Sequence, residues 1–185
     1  NGGTGLMFAC ESGRETSTNL LIEAKAQVDI TLPTGHTALL LAAPKGHANC
    51  ALALLKAGAA VDAAINEGCN ALMLAAQSGH VDFARTLLQA GADVDAANFR
   101  GGTSLMFAAL HGHDGCVRAL LEAGAQVNQD LPSGHTAIIV AAQNGHERSV
   151  AALMEAGADP AKTTSEGDTA FSLACQSGHE LCALA

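Results

Sequence analysis

Histidine is the residue type in this chain best able to do chemistry, and the sequence carries eight of them. His111 and His113 form an H-x-H pair, which begins a zinc or copper site when a third donor stands at a suitable spacing. No third donor with that spacing is present. Five of the eight (His47, His80, His113, His146 and His179) each follow a glycine and recur every 33 positions. Ligands a full repeat apart do not converge on one ion, so they read as structural or solvated side chains and no metal is expected. Cys69, placed just after Gly68 in an exposed slot, has the type of a nucleophile, but a thiol needs a neighbouring base to become one. No base can be assigned to it, and a plain exposed thiol is expected. The glycines are explained by turns and helix ends rather than by a phosphate-cradling loop. No catalytic residue and no cofactor are expected.

What positions these residues is a repeat. Glycine recurs at Gly2, Gly35, Gly68, Gly101, Gly134 and Gly167, and again inside Ala-Gly-Ala at Gly58, Gly91, Gly124 and Gly157, always in the 33-residue phase of the histidines. A fixed period of roughly 20 to 50 residues is the mark of a stacked, quasi-linear array. One unit, residues 68–100, shows the plan. Asn70 caps a short helix over 71–77, as Thr4, Thr37, Thr103, Thr136 and Thr169 do in the other units. Gly79 ends that helix. A second helix over 81–89 follows, with Phe83, Ala84, Leu87 and Leu88 on a buried stripe. Gly91 stops it, and an extended arm with a tight turn leads to Gly101. Helices shorter than about 12 residues are marginal alone, so Leu72, Leu74, Leu87 and Leu88 are expected to be buried against neighbouring units.

The bulk composition agrees. The chain is 49% apolar, with no tryptophan or tyrosine and five phenylalanines, so its core is built from alanine and leucine, which suits close-packed helices better than a sandwich. Eighteen acidic residues against nine scattered basic ones give a net charge of −9, the wrong balance for nucleic acid or an anionic membrane surface. No apolar run approaches the ~18 to 20 residues that span a bilayer, and no signal-peptide pattern opens the chain. Cys50, Cys116 and Cys182 share one repeat position and Cys10 and Cys175 another, so these five read as small core residues. With no CxxC pair and no secreted-style framework, a reducing, intracellular and cytoplasmic setting is expected. The chain opens inside a turn and stops inside a helix, leaving Leu173, Leu181 and Leu184 without a polar cap, and it reads as a segment of a longer polypeptide in which targeting signals could lie.

The unit resembles the ankyrin repeat over essentially the whole chain. The family pattern runs roughly G-x-T-P-L-H-x-A-A-x-x-G-H, then a second helix ending in L-L, then G-A-D-V-N. Against it stand GHTALLLAAPKGH from Gly35, GCNALMLAAQSGH from Gly68, GGTSLMFAALHGH from Gly101, GHTAIIVAAQNGH from Gly134 and GDTAFSLACQSGH from Gly167, with endings such as LLQAGADVDA and LLEAGAQVNQ. The T-P-L-H tetrapeptide is never complete: its proline position holds Gly5, Ala38, Ala71, Ser104, Ala137 and Ala170, and its histidine position Met7, Leu40, Met73, Met106, Ile139 and Ser172. Both losses should weaken the helix starts. Pro44 should bend or fray the end of its helix. Arg14 and Lys25 replace the usual histidine and glycine, making the first unit the least regular.

The resemblance implies an all-α repeat solenoid, an ankyrin-repeat array of helix-turn-helix units joined by extended β-turn loops. It would be one domain over 1–185, with units 2–34, 35–67, 68–100, 101–133, 134–166 and a partial 167–185. It further implies that the glycine-histidine side chains bond to neighbouring loops, and that a partner protein meets the loop tips and the concave face of the first helices. Carried over position by position, the loop-tip candidates are Asn66, Glu67, Phe99, Arg100, Ser133 and His135, and the helix candidates Gln77, Ser78, Leu110, His111, Gln143 and Asn144. Phe99, Arg100, Leu110 and His111 combine the aromatic and arginine types favoured at interface hot spots. The expected function is non-enzymatic protein–protein interaction, with a structural subunit of a large assembly, or a regulatory segment of a larger enzyme, as alternatives.

Overall fold

The computed structural model describes residues 3–179 and residue 182. Gly2, the first glycine of the repeat phase, and Leu181 and Leu184 lie outside the described residues. Eleven α-helices are described and no strand is found among the described residues; the class is an all-α repeat solenoid. The chain divides into two compact units, Asn1–Asp93 and Val94–Ala185.

The first unit holds α1 (Gly5–Glu11), α2 (Glu15–Glu23), α3 (Ala38–Ala42), α4 (Ala48–Lys56), α5 (Ala71–Ser78) and α6 (Val81–Gln89). The second holds α7 (Ser104–Leu110), α8 (Asp114–Glu122), α9 (Ala137–Gln143), α10 (Glu147–Glu155) and α11 (Ala170–Gln176). Within each unit a helix packs on its hairpin partner and on the equivalent helix of the next repeat, α2 on α4 and α4 on α6, or α7 on α9 and α9 on α11. Helices of two turns acquire stability this way, through neighbours rather than propensity. The loops contribute isolated antiparallel bridges, such as Ala64 to Asn70 and Thr163 to Thr169.

The caps follow the residues expected to make them, with one exception. Thr4, Thr37, Asn70 and Thr103 accept the backbone N–H three residues on, at 3.2, 3.3, 3.0 and 3.4 Å. Thr169 accepts from Ser172 at 3.2 Å while the Ser172 hydroxyl accepts the Thr169 N–H at 2.9 Å, a reciprocal capping box. Thr136 departs from the expectation: its hydroxyl is fully buried and bonds to nothing. Pro44 has the expected effect, since α3 stops after Ala42 and the chain tightens into a 3-10 turn over Ala43–Lys45. Lys25 takes the slot that glycine fills in later repeats and is forced to the same left-handed backbone, φ +63°.

The core is Ala and Leu, with Phe83 its largest fully buried side chain. Leu72 and Leu87 are buried as expected, but Leu74 and Leu88 are only half-buried. Residues two apart on a helix point about 200° away from each other, so Leu72 and Leu74 cannot share one stripe. Leu173 is buried rather than uncovered. Cys10, Cys50, Cys116 and Cys182 are buried as expected, whereas Cys175 is exposed near the end of α11 and is not a core residue.

Candidate interaction surface

Each loop finger is a tight turn closed by two backbone hydrogen bonds. At 98–102 the Asn98 N–H donates to the Gly102 carbonyl at 3.0 Å and the Gly101 N–H to the Asn98 carbonyl at 2.8 Å. The Asn98 side chain then accepts the N–H groups of Arg100 at 3.0 Å and Gly102 at 2.9 Å. Four bonds thus fix the backbone on either side of Phe99, whose side chain is 82% exposed. A large aromatic ring in water on a rigid turn is the most conspicuous apolar group on the described surface. Arg100 beside it is exposed.

Leu110 ends α7 and is exposed, and His111 caps that helix, its N–H donating to the Phe107 carbonyl at 3.3 Å. The His111 ring stands 6.1 Å from that of His113. Partial burial lowers the His111 pKa, with the charges of His113 and His146 acting the same way.

The fold already employs several of the other candidates. The Asn66 side chain donates to the Pro33 carbonyl at 3.0 Å and its N–H to the Thr34 carbonyl at 3.2 Å, tying one finger to the next. Ser133 Oγ pairs with His135 Nδ1 at 2.9 Å. The Asn144 amide bonds back to the Val140 carbonyl at 2.8 Å, which closes the end of α9. Glu67 and Gln77 are exposed, and Ser78 and Gln143 are half-buried.

Two of the glycine-histidine residues, His80 and His146, do what the resemblance implied. The ring N–H of His80 donates to the Pro44 carbonyl and that of His146 to the Leu110 carbonyl, both at 3.0 Å. Because a carbonyl can only accept, Nε2 carries the proton in each. The His80 ring lies against Gly46 and the His146 ring against Gly112, leaving no room for a Cβ at either glycine.

A second ladder was not foreseen from the sequence. The Asp29 carboxylate accepts the Ala60 N–H at 3.1 Å, Asp62 that of Asp93 at 3.1 Å, Asp95 that of Gln126 at 2.8 Å, and the Asn128 side-chain oxygen that of Asp159 at 2.8 Å. Each bond runs from one repeat to the loop of the next. The signal was present as acceptor side chains in one repeat phase, at Asp29, Asp62, Asp95 and Asn128.

Burial pushes the thiols of Cys10 and Cys116 up to about 11, which keeps them protonated and unreactive. Cys69 is half-buried rather than fully exposed. Among the described residues no three His, Cys, Asp or Glu side chains are grouped to hold a metal, and no helix is long and apolar enough to cross a membrane. Surface depressions beside α8 and α10, beside α2 and α4, and beside α1 and α2 measure about 260, 270 and 340 Å³, at or below the lower end of the roughly 300 to 1,000 Å³ of small-molecule sites.

A family model described as ankyrin repeats, in three copies, matches residues 6–98, 63–131 and 105–185. No curated protein matches the chain. Ankyrin repeats are generally protein–protein interaction modules and typically non-enzymatic. With capped helical hairpins, glycine-histidine ties and loop fingers recurring in one phase and the family model covering nearly all of it, this chain belongs to the ankyrin-repeat family.

Proposed function

We propose that this chain is a non-enzymatic binding module that captures another protein through its loop fingers and the exposed ends of its first helices, with Phe99 and Arg100 as the anchor. The observation that carries this reading is an aromatic side chain 82% exposed on a turn whose backbone is already fixed by Asn98. A preformed turn loses little conformational freedom on binding, so the burial of the ring goes largely into affinity. Scattered cations and a charge of −9 favour a protein partner over nucleic acid. Six cysteines held as thiols, four of them buried, suit a reducing intracellular setting.

Burying a phenylalanine is worth roughly 1.5 to 3 kcal/mol, which corresponds to about a 10- to 100-fold change in Kd. The double variant Phe99→Ala, Arg100→Ala should lose partner capture to that extent in a pull-down from native extract. Its melting temperature should stay within about 2 °C of the parent, because neither side chain packs in the core. Unchanged capture by a folded double variant refutes the anchor.

A further inference from the structure

A longer period underlies the repeat. Residues 2–9 read GGTGLMFA and residues 101–108 GGTSLMFA; residues 32–38 read LPTGHTA and residues 131–137 LPSGHTA; residues 75–80 read AAQSGH and residues 174–179 ACQSGH. Each pair is separated by 99 positions, so these three segments recur at a distance of three repeats. One copy of each pair falls in each compact unit.

The geometry is duplicated with the letters. Thr34 Oγ1 lies 2.8 Å from His36 Nδ1, and Ser133 Oγ lies 2.9 Å from His135 Nδ1. The Asn66 N–H donates to the Thr34 carbonyl at 3.2 Å, and the Ser165 N–H to the Ser133 carbonyl at 2.9 Å. The remaining fingers have nothing equivalent, since Cys69, Gly102 and Asp168 stand where these two have histidine. Beside each hydroxyl-histidine finger the next finger carries an exposed glutamate, Glu67 or Glu166.

Simple persistence after duplication does not explain the match. Residues 14–20 (RETSTNL) and 113–119 (HDGCVRA) share no residue, and Glu11-Ser12 and Pro44-Lys45 correspond to Leu110-His111 and Gln143-Asn144. The copies have therefore diverged at these helix positions, while others such as Gln77 and Gln176 still match. Yet Pro33, Thr34, Pro132 and Ser133 are exposed, and the positive φ of the tips, +84° and +79°, falls on their glycines. An exposed hydrogen bond adds at most about 1 kcal/mol, so retention of the whole tip in both copies points to something that touches it.

We infer that the two hydroxyl-histidine fingers, each with its neighbouring glutamate, are two copies of one docking site, and that one chain takes two equivalents of the same protein epitope. The epitope carries a lysine or arginine for the glutamate and a hydrogen-bonding group for the imidazole. This rests on the protein-binding reading above, but it involves neither Phe99 nor Arg100.

The test places the photo-crosslinker p-benzoylphenylalanine in the full-length protein, in its own cells, at Pro33, at Pro132 or at Phe99, and sequences the captured peptides by mass spectrometry. Positions 33 and 132 are expected to capture the same peptide of the same protein. Native mass spectrometry of the complex should show two equivalents per chain, falling to one with either Glu67→Lys or Glu166→Lys. Different peptides at the two positions, or a single equivalent unchanged by both charge reversals, overturns the duplicated site. So does silence at 33 and 132 with capture at 99, which leaves the protein-binding reading intact. Silence at all three positions overturns that reading as well.

Discussion

Thr37 and Thr136 occupy the same position in the two halves of the duplication, and the same substitution at each should move stability in opposite directions. Both are N-cap residues with extended backbone, φ −97° and ψ 174° for Thr37, φ −105° and ψ 171° for Thr136. Both are buried, at 2% and 0% exposure. Valine matches threonine in shape and accepts an extended backbone readily, so Thr→Val removes the hydroxyl and little else. At Thr37 that hydroxyl accepts the Leu40 N–H at 3.3 Å; its loss costs about 1 kcal/mol as a missing cap. At Thr136 the hydroxyl is buried with no partner. A polar group in that state costs about 1 to 3 kcal/mol, and replacing it by a methyl group relieves most of this. Thr37→Val is therefore destabilising by about 1 kcal/mol, and Thr136→Val stabilising by about 1 to 2 kcal/mol. Urea denaturation of the two variants measures the signs, and hydrogen exchange localises them. The Leu40 amide should lose protection in Thr37→Val, while the Ile139 amide is unchanged in Thr136→Val. A loss of stability in Thr136→Val, with faster exchange at Ile139, would show that Thr136 does cap α9 and would refute the argument.

Two further expectations come from the backbone and the thiols. Lys25→Gly should raise stability by about 0.5 to 1 kcal/mol, since the left-handed conformation costs a side-chain-bearing residue about 1 to 2 kcal/mol and glycine's extra unfolded-state freedom cancels part of that; an unchanged urea midpoint would remove the strain assigned to Lys25. Cys10 and Cys116 ionise near pH 11 when folded, against 9.0 when unfolded. Above pH 9 the unfolded chain loses protons that the folded chain keeps, so stability present below pH 9 should fall between pH 9 and 11. Denaturation at pH 8 and pH 10.5 should show that fall, reduced in the Cys10→Ala, Cys116→Ala double variant; equal slopes in parent and variant would remove the thiols as its cause.

What was legible in the sequence was whatever the backbone imposes once per repeat. Gly79 and Gly91 located helix ends because the left-handed turn admits few other residues, and the second helix of that unit was expected at 81–89, where Val81–Gln89 stands. The same logic marked Lys25 as irregular before its backbone angle was known, and Pro44 as the point where α3 would fail. What was missed depends on direction. Whether Leu74 shares a face with Leu72 follows from helix geometry applied residue by residue, not from a count of apolar letters. Whether a threonine at a cap position reaches its N–H depends on tenths of an ångström, and Thr136 carries the same letters around it as Thr37. The Asp29, Asp62, Asp95 and Asn128 ladder was hidden because acidic residues near a turn read as solvated surface until their partners, 31 residues on, are in place.

The candidate surface was harder to read for a related reason. Packing constrains the interior so tightly that Leu, Ala and Gly recur at fixed phase, and the repeat is visible because of that constraint. Exposed finger tips escape it, so variation among them has two sources, adaptation to a partner and free drift, and a 33-residue comparison mixes the two. The 99-residue comparison separates them. Helix positions that changed between the copies measure the drift, and tips that stayed the same while equally exposed stand out against it. On that measure Thr34-Gly35-His36 and Ser133-Gly134-His135 are marked by retention, whereas Phe99 has no phenylalanine counterpart elsewhere in the chain and is marked only by its exposure and its rigid turn. The two signals are independent, and a partner that engages the fingers at 33–36 and 132–135 need not touch residue 99 at all.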